Sequence, residues 1–184
     1  MNYKDKIHQE VLKQYSDWYG DEHGASGSCL YWMQVGLIVL TKHGFNAVPQ
    51  AGSMNWPILA DKDDDGIVAT HFTYEWSPWR DESRVAMLHG YLPEIHCWIG
   101  LPDTQELVDF STKHFHAAAM RETLKWTAPL PPDYLWTDPL GIGAMYQPEK
   151  DALCFLYRYI MEKNKHAKVY SVWDRVRAVE QCIA

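Results

Sequence analysis

The sequence predicts an α+β fold in which helices are followed by an antiparallel sheet and then by further helices. Three observations lead there. Apolar residues recur at helical spacing near both ends of the chain, and the middle is rich in β-branched and aromatic residues between turn signals. Between them, Leu30 to Leu40 is apolar nearly all round, with only Gln34 polar beyond Tyr31 and Trp32, as a helix enclosed by other elements must be. The chain has 184 residues, 47% hydrophobic and 22% charged, enough for one domain over residues 1–184 with a full core.

The first helix is expected from Tyr3 to Trp18, because Ile7, Val11, Leu12, Tyr15 and Trp18 form one stripe. A turn-rich loop with Gly20, Gly24 and Gly27 follows. The second helix runs from Cys29 to His43 and stops at Gly44, the residue type favoured just past a helix C-terminus. Strands are expected at Phe45–Val48, Ile67–Trp76, Tyr91–Leu101 and Glu106–Ser111. A short helix is expected from His116 to Trp126, followed by a loop holding Pro129, Pro131, Pro132 and Pro139, a candidate lid. Two closing helices are read from Leu153, Leu156, Tyr157 and Ile160, and from Val172, Trp173, Val176 and Val179.

Composition narrows the function. A formal net charge of −7 argues against a nucleic-acid partner, which needs a basic surface. The longest apolar run, Val35 to Leu40, is too short to span a membrane. The start, Met1 to Lys6, lacks the apolar stretch of a signal peptide. Cys29, Cys97, Cys154 and Cys182 are scattered without a CxxC pair, which suits reduced thiols and a cytoplasmic location. Asp61 to Gly66 imitates the start of a calcium loop, but Phe72 stands where the bidentate glutamate is needed, so an acidic turn between strands is the better reading. His114, His116, His89 and His96 lack matching carboxylate or cysteine spacing, so no metal and no cofactor is expected. Trp56, Trp76 and Trp79 either line a cleft or pack in the core.

Three short segments carry the chemistry. Cys29 stands at a helix start, where unpaired amides and partial positive charge favour a thiolate and can hold an oxyanion. Pro102 to Gln105 reads as the turn of a hairpin in which Leu101 faces Glu106, Trp98 faces Asp109 and His96 faces Ser111. His96 and Asp109 then share one face as diagonal neighbours, roughly 7–8 Å apart between backbones. Ile95, Cys97 and Ile99 oppose Val108 and Phe110 on the other face, an apolar set that a one-residue slip would scramble. This register turns Cys97 away from His96. The arrangement suits nucleophilic attack by Cys29, proton transfer by His96 and orientation of the imidazole by Asp109.

Gly27-Ser28-Cys29, His96-Cys97-Trp98 and Asp109-Phe110-Ser111 resemble, in that order, the motifs of the transglutaminase-like branch of the papain-like cysteine enzymes. The resemblance covers residues 25–112. It implies a papain-like fold, with a buried helix beginning at the nucleophile and packed on an antiparallel sheet. It also implies a catalytic Cys29, His96 and Asp109 acting through a covalent acyl-enzyme on a peptide, protein or small amide or ester. No glutamine lies shortly before Cys29, so the sequence does not place a second oxyanion donor. The alternative is an inactive module of the same fold that binds a peptide or small ligand in an aromatic cleft.

Overall fold

Helix α1 (Tyr3–Tyr19) begins at Asn2, whose side chain accepts from the Asp5 N–H at 2.8 Å while Asp5 accepts from the Asn2 N–H at 3.2 Å. This reciprocal cap satisfies two first-turn donors that would otherwise be orphaned. The computed structural model describes residues 2–20, 28–59, 70–89, 92–122, 124–141 and 145–163. The predicted helix at Val172–Val179, the acidic turn expected at Asp61–Gly66, and Gly24 and Gly27 of the loop before Ser28 lie outside the described residues.

Helix α2 (Cys29–Lys42) buries Leu30, Trp32, Met33, Gln34, Val35, Leu37, Val39 and Leu40, as its nearly continuous apolar surface requires. It ends where expected, with Gly44 at φ +85°. Gly36 lets the helix lie close to the sheet. A Cβ there would sit 2.6 Å from the Phe110 ring and 2.7 Å from Ile99 Cδ1.

Six strands form one sheet: β1 (Val48–Pro57), β2 (His71–Tyr74), β3 (His96–Leu101), β4 (Glu106–Asp109), β5 (Leu135–Thr137) and β6 (Met145–Pro148). Their order is β2-β1-β3-β4-β5, every pairing is antiparallel, and β6 joins β1 off this path. The β3–β4 register has Leu101 opposite Glu106 and Ile99 opposite Val108, as the sequence predicts. Strand β1 changes partner along its length. Val48–Gly52 pair with β3, and Gly52–Asn55 pair with β6. Gly52 is needed at the junction because a Cβ would lie 2.1 Å from the Gln147 carbonyl oxygen.

Helices cover both sides of the sheet. Ile95, Cys97, Ile99, Val108 and Phe110 join one apolar cluster with α1, α2 and the buried Ala152 and Leu156 of α5 (Lys150–Lys163). Met54, Trp56, Phe72, Trp98 and Leu107 join a second cluster with Phe115, Ala118 and Ala119 of α4 (Phe115–Arg121). Among the described residues, no helix is long and apolar enough to cross a membrane.

Several boundaries differ from the sequence reading. The strand expected at Phe45–Val48 begins at Val48 and runs to Pro57, through two prolines, a glycine, a serine and an asparagine that read locally as turn residues. The described part of the next strand is His71–Tyr74. The helix expected at His116–Trp126 is Phe115–Arg121, entered through a 3₁₀ turn at Thr112–His114. Short helix α3 (Asp81–Leu88) was not expected. It buries only Ser83, so it has no apolar stripe to read. The proline-rich segment is not a free lid. Leu135–Thr137 pairs with β4, and the Ala128 N–H donates to the Ile58 carbonyl at 3.0 Å.

Candidate active site

The first turn of α2 carries Cys29 to the start of β3, with its Sγ 3.9 Å from the Ile95 carbonyl oxygen. Ser28 precedes it as the cap residue and makes no side-chain capping bond, so the first-turn amides keep their hydrogens unclaimed by that hydroxyl. His96 is the first residue of β3 and is fully buried. Its Nε2 lies 2.7 Å from Oδ2 of Asp109, the last residue of β4. An ionised carboxylate only accepts, so Nε2 carries the hydrogen and donates it. Nδ1 is then the remaining proton site, and it is buried without a hydrogen-bond partner. The three residues named from sequence therefore meet in one place. His96 and Asp109 share a direct bond, and the Cys29 thiol is close enough to respond to the imidazole.

Asp109 is fixed from three directions. Its Oδ1 accepts from the Ser111 N–H at 2.8 Å and the Ser111 hydroxyl at 2.7 Å. Its Oδ2 accepts from the Tyr146 hydroxyl at 2.9 Å as well as from His96. Tyr146 comes from β6, which reaches the site because β1 changes partner at Gly52. The imidazole is enclosed by rings: Tyr74 stacks on it at 5.2 Å, Trp98 lies at 6.0 Å, and Phe115 meets it edge-on at 5.3 Å.

The electrostatics follow from these contacts. Burial alone would raise the Asp109 pKa, but the charge and hydrogen bond of His96 and the bonds from Ser111 outweigh it and hold the carboxyl below its ordinary value. Burial disfavours a charged His96, yet the Asp109 charge and bond, reinforced by Cys29, raise it to about 9. The largest influence on Cys29 is the neighbouring Cys97 thiol, which stabilises the thiolate by hydrogen bonding. Burial opposes this, His96 reinforces it, the Asp109 charge opposes it, and the result is a pKa of about 5. Burial and its role as donor push Cys97 well above the ordinary thiol value. Between these values the shifts favour a thiolate at Cys29 and a protonated His96.

Cys97 takes the face expected from the sequence and gains a neighbour that the register could not show. It does face away from His96, with Ile95 and Ile99, but this places it beside Cys29. The poorer nucleophile is thus a neighbour of the better one. Tyr146 and Tyr74 were not expected at the site, and no local motif marks them. His114, noted in the sequence only as a metal hint, lines the Cys29 crevice with Ser28, Tyr74, His96 and Phe115. That crevice has a volume of about 10 Å³, near the lower limit for one water molecule. Among the described residues, no group of three or more His, Cys, Asp or Glu could hold a metal ion.

The three tryptophans separate. Trp56 and Trp76 are both buried in the core, and Trp76 also lines an open groove of about 680 Å³ with the exposed Trp79, Met87, Cys154 and Phe155.

No protein-family model matches the sequence, and no curated protein matches it. One solved structure of a genomics target is similar, with a TM-score of 0.48 and 14% identity over 94% of this chain and 76% of that one. A likeness of that degree carries no argument about chemistry.

Proposed function

We propose that this protein is a papain-like, transglutaminase-like enzyme that transfers acyl groups from an amide or ester through Cys29, His96 and Asp109. One observation carries the reading. The Asp109 carboxylate holds His96 by Nε2 at 2.7 Å and leaves Nδ1 without a partner, in a site where the Cys29 pKa falls to about 5. The Cys29 thiolate attacks the carbonyl carbon, forming the S–C bond and placing the π electrons on oxygen. Collapse of that intermediate breaks the C–N or C–O bond, and the leaving group takes the proton from His96. Water or an amine then gives a proton to His96, attacks the thioester and releases the thiolate. The substrate class is a peptide, a protein or a small amide or ester, and the reduced thiols this requires suit a cytoplasmic setting.

The test is direct acylation. Incubation with an activated ester should add one acyl mass to Cys29 with release of one equivalent of alcohol, and Cys29→Ala should abolish both. Acylation of the alanine variant at the wild-type rate would remove Cys29 from the chemistry.

The narrowness of the Cys29 crevice, together with a much larger groove at Trp76, Trp79 and Phe155 that shares no lining residue with it, supports a second reading as a non-catalytic binding module. That reading requires an ordinary thiol pKa near 8.5 at Cys29, roughly that of a free cysteine.

A further inference from the structure

Attack on a carbonyl moves charge onto its oxygen, and one helix-start N–H is seldom the sole donor a catalytic site offers there. On the acyl-transfer reading the Cys29 amide, in the first turn of α2, is the first donor. No glutamine lies shortly before Cys29 to supply a second, so the polar groups lining the crevice are the candidates. Its polar side chains are not equivalent. The Ser111 hydroxyl is committed to Asp109 at 2.7 Å. Tyr74 is stacked on His96 as a wall. Two of the crevice-lining residues carry a buried ring nitrogen with no hydrogen-bond partner among the described residues: His96 Nδ1 and His114 Nε2. His96 Nδ1 is the proton-transfer atom. His114 Nε2 has no assigned task, and a buried polar atom left unpaired costs free energy that a native fold seldom tolerates without a use.

We propose that His114 is a catalytic residue of this site, its Nε2–H joining the Cys29 amide as the second donor to the oxygen of an acylating substrate. The inference rests on the acyl-transfer reading and adds to it the missing half of the oxyanion site. His114 is well held for this role. It ends the 3₁₀ turn Thr112–His114, its N–H donates to the Ser111 carbonyl at 2.9 Å, and its ring lies 5.7 Å from that of Trp32. The Thr112 hydroxyl anchors the turn by donating to the Pro132 carbonyl at 2.6 Å. Burial and the adjacent Lys113 lower its pKa to about 4. It therefore stays neutral while the thiolate is present, and a neutral imidazole N–H can polarise a carbonyl, as the electrophilic histidine of triosephosphate isomerase does.

Two reactions of the same thiol separate this role from a structural one. Acylation by p-nitrophenyl acetate passes through an oxyanion, whereas alkylation by iodoacetamide displaces iodide at a saturated carbon and does not. His114→Phe keeps a ring against Trp32 without the N–H, and His114→Gln restores an N–H donor. The expected result is alkylation within about two-fold of wild type in both variants, with acylation lowered by about 10²–10³-fold in His114→Phe and by much less in His114→Gln. Alkylation also reports folding, and if His114→Phe loses it, His114→Ala replaces it in the same comparison. Wild-type acylation rates in the variant lacking the donor would overturn the assignment of His114. Failure of wild-type protein to be acylated, despite rapid alkylation of Cys29, would instead overturn the acyl-transfer reading, and the oxyanion role with it.

Discussion

Cys97 shows how a side chain facing away from His96 can still set the chemistry of a neighbour. It lies in the apolar cluster under α2, buried, and its S–H stabilises the Cys29 thiolate more than any other single contact. Replacing it with alanine should raise the Cys29 pKa from about 5 toward the ordinary thiol range, read as a rightward shift of the alkylation pH profile. An unmoved profile would mean that His96 alone sets the thiolate. At the level of single residues much of the site was legible. Cys29 announced itself by its place at the start of an apolar run, and His96 and Asp109 by two strand segments flanking an obvious turn. The contact between Cys29 and Cys97 was not legible, because strand pairing says which face a residue takes but not which helix side chain lies on it.

Elements succeed or fail in the reading according to whether their burial is periodic. The β3–β4 register could be derived because one face carries an apolar set and the other carries His96, Asp109 and Ser111, so a one-residue slip would scramble both. Strand β1 could not, because Ala51 is buried toward α2 whereas Met54 and Trp56 are buried toward α4, so its buried face changes midway. Strands β5 and β6 are three and four residues long and follow prolines or precede them, too little for any alternation to show. The contact between α2 and the sheet gives a prediction of its own. Gly36→Ala forces a methyl into the Phe110 and Ile99 side chains, and overpacking of this kind should cost about 1–3 kcal/mol in chemical denaturation. A cost below about 0.5 kcal/mol would show that α2 moves freely over the sheet, a freedom at odds with a Cys29 held in place at its end.

Across the whole molecule, the site is assembled from segments far apart in the chain. Cys29 comes from α2, His96 and Asp109 from β3 and β4, and a fourth contact from β6 through Tyr146. The sequence resemblance stops at residue 112, so it could not foresee that a later strand would hold Asp109. Tyr146→Phe removes one of the two donors to Asp109 Oδ2, and the loss of a buried hydrogen bond to a charged group should lower stability by about 1.5–3 kcal/mol. Denaturant titration at neutral pH measures it, and an unchanged midpoint would show that the bond contributes nothing to the fold.

The thiolate–imidazolium pair is the feature from which the others follow, and the decisive measurement is the pH dependence of Cys29 alkylation, with the labelled residue identified by mass spectrometry. Below about pH 5 the thiolate takes up a proton and the rate falls, and above about pH 9 the imidazolium loses its own. The expected profile therefore has an acid limb near 5 and a second change near 9 that His96→Ala removes. A single inflection between roughly 8 and 9, where a free thiol titrates, unaltered by that substitution, would show that no such pair exists.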